Sequence, residues 1–387
     1  MNKPVLRTPL CDMLGIDYPI ISAGMGPTLI GEPNGAPVEL VVAVSEAGGL
    51  GVLGGAGFTL SELKSAIQEI KTKTDKPFGV DLLLPKNIPG APPESADLTK
   101  EESVPLADIV KLLPEEHAAW YNRIKEELHL PDVKDLYVNM DTTTMHPQEA
   151  AKICIDEKVP LFCAGLGDPG FMVDEAHANG MKVLGVVGNA KNAGRVARSG
   201  ADLIAAQGFE GGGHTGRVGT MALLPQAIDA AAPVPVLAAG GIGDGRGVAA
   251  ALAMGCIGVW MGTRFLATRE GGAMDLCKEK IIRSTDEDTR VSTLYTGKTS
   301  RASYTKFHDV WSQANLPALP FPFQVLFASA LLDGFIKSGL NDHVGGFAGQ
   351  VSGLIREIKP AGVVLGEIVE ETVDILARKL PNSIALS

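Results

Sequence analysis

At 387 residues, with 45% hydrophobic and 20% charged residues, the chain has the size and composition of a globular protein with a sizeable buried core. A formal net charge of −11 offers no phosphate-neutralising surface and argues against nucleic-acid binding. No apolar run reaches the length of a membrane span and the start lacks a signal-peptide core, so a cytoplasmic protein is expected. Cys11, Cys154, Cys163, Cys256 and Cys277 are odd in number and form no CxxC pair, which argues against a disulfide framework or a zinc site.

In chain order, Tyr18 to Ala23 predicts a short strand closing on Gly24-Met25-Gly26-Pro27. Helical spacing from Val38 to Ala47 stops at Gly48-Gly49, and Leu50 to Leu53 is a second strand. Thr59 offers an N-cap to a helix reaching Lys71, with Leu60, Leu63, Ile67 and Ile70 on one face. Phe78 to Leu84 is the third strand. From Pro85 the rhythm breaks, with Pro89, Pro92 and Pro93 in close succession. Helices are expected near 101–113 and 115–128, and Tyr137 to Met140 reads equally as strand or loop. The excursion 85–145 is too long for an ordinary βα loop and reads as an insertion, either decoration or a lid or subunit contact.

The alternation then resumes. Helix 147–157 precedes strand Pro160 to Ala164, helix 169–179 precedes strand Lys182 to Val187, and helix 190–199 precedes strand Ala201 to Ala206. A helix around 221–231 leads to strand Val234 to Ala239, and helix 245–254 leads to strand Ile257 to Met261. Without the insertion, eight strands alternate with helices, the count that closes a (β/α)8 TIM barrel; a doubly wound open sheet is the alternative. The barrel would comprise 1–84 and 146–269. A mostly helical cap or substrate segment would span 270–345 and C-terminal helices would return to the barrel over 346–387.

Gln207-Gly208-Phe209-Glu210-Gly211-Gly212-Gly213-His214 follows the sixth strand, where barrels place their ligands. The glycines leave the backbone open to a flat ligand, and His214 supplies a titratable imidazole. After strands seven and eight come Gly240-Gly241 and Gly262-Thr263, the loops that often hold a phosphate; glycine turns entering helix N-termini do so without net positive charge.

These motifs, with Ala238-Ala239-Gly240-Gly241-Ile242 and Met261-Gly262-Thr263-Arg264-Phe265, resemble those of the nitronate monooxygenase family, formerly 2-nitropropane dioxygenases, which are FMN-dependent barrels. The resemblance extends to Met25 with its flanking glycines, Gly48-Gly49-Leu50-Gly51, Phe78-Gly79-Val80 and the tail from Gly349-Gln350 to Pro360-Ala361-Gly362. It covers nearly the whole chain apart from 85–145. It implies that Gly240, Gly241, Gly262 and Thr263 hold the FMN phosphate and that Gly24 and Met25 lie against the isoalloxazine ring. Gln207 would sit near the flavin edge, with Asp81 and Gly213 also in the cofactor's surroundings, and His214 would be the active-site residue. The implied reaction is oxidation of a nitronate with O2 to a carbonyl compound and nitrite. His214, cationic or neutral, would hold the nitronate or remove a proton; an ordinary pKa of about 6.5 suits either role.

The family usually has asparagine where this chain has Asp81. A carboxylate there would disfavour an anionic substrate unless protonated or paired; it reads equally as an acid turned to solvent or capping a helix. The insertion and the opening from Leu6 to Ile20 look more like branches that process coenzyme A thioesters, so a flavin-dependent enoyl-thioester reductase or dehydrogenase is a second reading. A third is an inactive flavin-binding assembly protein. Lys298, Arg301 and Lys306 could meet an anionic substrate or a nucleotide tail, or form a solvated face. His117, His129, His146, His177, His308 and His343 show no ligand spacing, and no metal is expected. The partners expected are a small molecule, nitronate or acyl thioester, and O2, with a homo-oligomer left open.

Overall fold

The computed structural model describes residues 5–27, 33–85, 103–133, 136–139 and 141–384. Eight parallel strands close into a barrel: β1 (Ile20–Ser22), β2 (Leu50–Gly54), β3 (Phe78–Leu83), β4 (Leu161–Gly165), β5 (Lys182–Val187), β6 (Leu203–Gln207), β7 (Val236–Ala239) and β8 (Gly258–Met261). Each pairs with its neighbours in sequence, and β8 closes the ring on β1. Every strand coincides with an expected one to within a residue or two.

Side chains alternate across the barrel wall as a pleated strand requires. Ile21, Leu50, Val52, Leu161, Cys163, Leu184, Leu203, Ala205, Leu237, Ala239 and Trp260 fill the interior. Ile20, Ile204, Ala206, Val236, Ala238 and Val259 face the helical layer. Because both faces are apolar, the strands read as continuous hydrophobic runs. The helix Pro9–Leu14 adds Leu10, Cys11 and Leu14 to the interior cluster. It lies at the start of β8, where the Thr8 hydroxyl donates to the Ile257 carbonyl at 2.5 Å, and so plugs the N-terminal end of the barrel. The opposite end is left for the site.

Local signals account for the outer helices. Thr59 caps Leu60–Lys73 through a reciprocal capping box with Glu62. Gly48, at φ 96°, ends the helix Val38–Glu46. The C-terminal helix Ala361–Asp374 packs on Val38–Glu46 and Gly245–Ala253, covering the side of the barrel where the chain began.

Of the two helices expected in the insertion, the one near 115–128 is present as Glu115–Glu127, whereas the one near 101–113 is replaced by a strand and a shorter helix. Ser103–Pro105 is a strand, paired antiparallel with Tyr137–Asn139, so the ambiguous second segment is a strand too, outside the barrel. Helices Leu106–Val110 and Glu115–Glu127 follow the first strand. A proline at the end of Ser103-Val104-Pro105 has no N–H for a helix interior, which fits the extended form. Residues 101–102, Met140 and the prolines Pro89, Pro92 and Pro93 lie outside the described residues.

The segment expected to be a mostly helical cap contains helices Asp275–Arg283, Lys306–Ala314 and Phe323–Lys337, but also an antiparallel strand pair, Thr289–Ser292 with Ser300–Ser303. Gly213–His214 joins it as a third strand. Insertion and cap share one core, in which Trp120 and Tyr121 from the first meet Trp311 and Phe327 from the second. The rings of Trp120 and Trp311 cross at 84° with centroids 5.7 Å apart.

Candidate active site

A cavity of about 1550 Å³ opens at the C-terminal ends of the barrel strands, beneath the lobe built from insertion and cap. All ten residues singled out from the sequence line it: Gly24, Met25, Asp81, Gln207, Gly213, His214, Gly240, Gly241, Gly262 and Thr263. They come from the ends of β1, β3, β6, β7 and β8. Topology brings them together although they span some 240 positions of sequence.

His214 sits in the short strand Gly213–His214, held on two sides. Its carbonyl accepts from Gln207 Nε2 at 2.8 Å, and its backbone pairs with Ser300 of the cap sheet. Its ring lies 6.3 Å from that of Phe347, and Nε2 is 3.0 Å from the Thr296 hydroxyl. Burial, with help from the nearby Lys298 ammonium, brings the imidazole pKa down to about 4. The neutral ring is thus favoured near pH 7, of the neutral and cationic forms that the sequence left open. Gln207, expected at the flavin edge, lines the cavity but commits its amide nitrogen to the His214 loop.

Asp81 takes neither of its bland alternatives. Its Oδ1 is buried with no hydrogen-bond partner among the described residues, and its side chain faces the cavity rather than capping a helix. Burial pushes its pKa well above the ordinary carboxylate range, so the neutral acid is favoured. Its side chain lies across Gly24, where an added Cβ would come 2.2 Å from the Asp81 Cβ; only glycine lets the two strands' ends approach so closely.

On the far wall, Gly241 has φ 75°, and a Cβ added there would make ordinary contact with Glu210 Cβ and Thr220 Oγ1, both at 3.5 Å. Thr263 Oγ1 accepts from the Gly349 N–H at 2.9 Å, which leaves its proton free to donate. The helix entered from the Gly240-Gly241 turn is not the open anion site expected of it. Asp244 already accepts from the N–H groups of Arg246 and Gly247, and Glu371 accepts from that of Gly245. Any phosphate there would rest on the turn's own N–H groups and on Thr263. These features fit a flavin mononucleotide: a glycine-lined cradle, a free hydroxyl proton and a buried neutral acid facing the same cavity.

The three basic residues of the cap separate. Lys306 is exposed and pairs with Asp342 at 2.9 Å. Arg301 is buried, donates to the Phe209 carbonyl from both Nε and Nη2, at 3.2 and 3.1 Å, and stacks 4.7 Å from the Phe209 ring centroid. It staples the glycine loop to the cap. Lys298 alone of the three lines the cavity, beside Phe321. Val104, Ile109, Val138, Phe323 and Leu326 make the outer part of the cavity apolar. Thr296 and Phe347 could not be placed beside His214 from the sequence, because the pairings that bring them there, His214 with Ser300 and Ala302 with Phe347, join distant segments. All five cysteines are buried and none is joined in a disulfide, and no cluster that could hold a metal occurs among the described residues. No helix among them is long and apolar enough to cross a membrane.

A family model described as nitronate monooxygenase matches residues 7–371. A Mycobacterium tuberculosis protein provisionally named a monooxygenase is 33% identical over 387 residues, covering 95% of this chain and 97% of its own. A Staphylococcus haemolyticus protein named a probable nitronate monooxygenase is 31% identical over 355 residues, covering 88% of this chain and 90% of its own. Among solved structures, nitroalkane oxidase from Streptomyces ansochromogenes superposes with a TM-score of 0.75 at 27% identity, covering 95% of this chain and 99% of its own. FabK from Thermotoga maritima does so at 0.72 and 32%, covering 98% and 100%.

Proposed function

The chain belongs to the nitronate monooxygenase family and is a flavin-dependent oxidoreductase, and from that premise we propose that it binds FMN and oxidises alkyl nitronates with O2 to a carbonyl compound and nitrite. The observation that carries the reading is a neutral imidazole and an ammonium, His214 and Lys298, on one wall of the cavity. A nitronate is an anion with a carbon that gains or loses a proton easily. Lys298 attracts the anion, and the neutral ring takes the proton of the parent nitroalkane.

Bound flavin would supply the electron acceptor. The chain's part is placement. Gly24 and Met25 give the ring a backbone surface, while Gly213, Gly240, Gly241, Gly262 and Thr263 surround the phosphate. Asp81, as a neutral acid, offers a hydrogen bond without placing a negative charge beside an electron-rich ring. The lobe covers the cavity and keeps water from the reacting atoms.

The test is anaerobic. Propyl-2-nitronate should bleach the flavin absorbance of the purified protein, whereas NADH and NADPH should leave it unchanged. Fast bleaching by a nicotinamide alone would replace this reading with reduction of an enoyl thioester, which the volume and apolar outer part of the cavity favour as the second candidate. A protein that takes up no flavin would remove both.

A further inference from the structure

The hydroxyl of Thr296 stands within hydrogen-bonding distance of three groups, and its single proton decides what His214 can do. Gly297 has φ 74°, and a Cβ there would come 2.1 Å from the Leu319 carbonyl oxygen, so glycine is needed for the chain to fold back at this point. The turn brings Lys298 over the preceding threonine. Thr296 Oγ1 is 3.3 Å from the Lys298 nitrogen, 3.2 Å from the Lys298 carbonyl oxygen and 3.0 Å from His214 Nε2. Thr296 is itself buried, so water is poorly placed to substitute for any of the three.

The proton count follows from the groups. A backbone N–H only donates, so Lys298 N–H occupies one lone pair of the hydroxyl. A backbone carbonyl only accepts, so the Lys298 oxygen must take the hydroxyl proton if that contact is to be a hydrogen bond. The remaining lone pair then accepts from His214, which requires the ring proton on Nε2. The opposite tautomer would spend the hydroxyl proton on Nε2 and set two oxygens facing each other at 3.2 Å with no proton between them.

We infer that Thr296 is a positioning residue that fixes His214 as the Nε2–H tautomer and makes Nδ1 the proton-accepting atom of the ring. Among the described residues Nδ1 has no hydrogen-bond partner, so its lone pair is uncommitted. Transfer of the carbon-bound proton of the parent nitroalkane to Nδ1 gives the imidazolium and leaves the electron pair on the substrate as the nitronate. Nε2–H stays on the threonine throughout, and the ring cannot rotate without breaking that bond. Its use in turnover rests on the proposed reaction; the tautomer does not.

The flavin-loaded enzyme, labelled with 15N-histidine, tests this at pH 7 by proton–nitrogen correlation, with the His214 signals identified by their loss in His214→Asn. The Nε2–H pattern is expected, and an Nδ1–H pattern overturns the inference. Thr296→Val should yield a mixture of tautomers and lower kcat for the parent nitroalkane about 10²-fold, at the low edge of what a positioned acid or base contributes, with KM and flavin content kept. Thr296→Ser should restore both readouts. An unchanged tautomer and kcat in Thr296→Val would also overturn it; if that variant fails to fold, the wild-type spectrum still decides. An Nε2–H pattern in an enzyme that turns over no nitronate upholds the tautomer and rejects the reaction.

Discussion

The barrel and the lobe above it meet at one cavity but are built from different materials. The barrel interior is aliphatic, with Trp260 its one large aromatic, whereas the lobe core gathers Trp120, Tyr121, Tyr295, Phe307, Trp311, Phe327 and Phe335. The contribution each makes to the site differs in the same way. The barrel offers mostly backbone: glycines at the ends of β1, β7 and β8 that leave room for a cofactor. The lobe offers side chains: Thr296 and Lys298 beside the imidazole, and apolar groups farther out. Cofactor binding should therefore depend on what barrel positions lack, and turnover and selectivity on what lobe positions carry.

Four substitutions would break or sharpen this division. The largest effect is expected from Gly241→Val, which sets a branched side chain against Glu210 and Thr220 beside the proposed phosphate site, at a backbone angle valine rarely adopts. Flavin should be lost altogether while circular dichroism still shows a folded barrel; a yellow variant with full flavin content would remove the phosphate from this loop. Next comes His214→Asn, which should retain flavin and lose about 10² to 10⁴ in kcat.

In the wild-type enzyme the same residue sets the acid limit. Its depressed pKa keeps the neutral base present above about pH 4, so kcat/KM should stay level from pH 8 down to 5 and fall as pH drops through 4. A midpoint near 6.5 would mean the ring is not desolvated. The corresponding stability term has the same sign, because the unfolded chain protonates histidine near pH 6.5 and the folded one resists it, so folding weakens as pH falls from about 6.5 towards 4.

Ile109→Lys, in the apolar outer part of the cavity, should spare propyl nitronate and raise KM for longer alkyl nitronates. Each methylene that loses its burial costs about 0.8 kcal/mol, roughly fourfold in KM. Equal effects on all chain lengths would mean that the substrate does not reach the lobe. The smallest change should follow Lys306→Ala, which removes an exposed ion pair with Asp342 and should alter stability by less than about 1 kcal/mol in a denaturant titration.

The same contrast explains what could be read from the sequence. Barrel strands are short apolar runs ended by glycine, and both their faces are buried, so periodicity and punctuation agree. Gly24, Gly241 and His214 stand out because they occur at those run ends. The lobe strands carry no such signal. Thr289-Arg290-Val291-Ser292 and Ser300-Arg301-Ala302-Ser303 are polar, and the second is nonetheless fully buried: Arg301 bonds the Phe209 carbonyl and the Thr289 hydroxyl, while the Ser300 hydroxyl has no partner among the described residues. Gly213–His214 looks like loop, and its pairing partner is too far along the chain for any local pattern to show it. Asp81 was visible as a departure, but its protonation depends on how completely the surrounding strands exclude water.

Because the His214 strand is stitched to Ser300 and Arg301, the imidazole belongs by chain to the barrel and by hydrogen bonding to the cap. Exchanging caps between relatives would then be more than a change of specificity. A transplanted cap brings its own edge strand and its own residue at the Thr296 position, so a chimera inherits the base from one parent and that base's orientation from the other. Recombination between such enzymes should succeed when the breakpoints carry the glycine loop and the cap hairpin together, and yield coloured but inert proteins when they are separated.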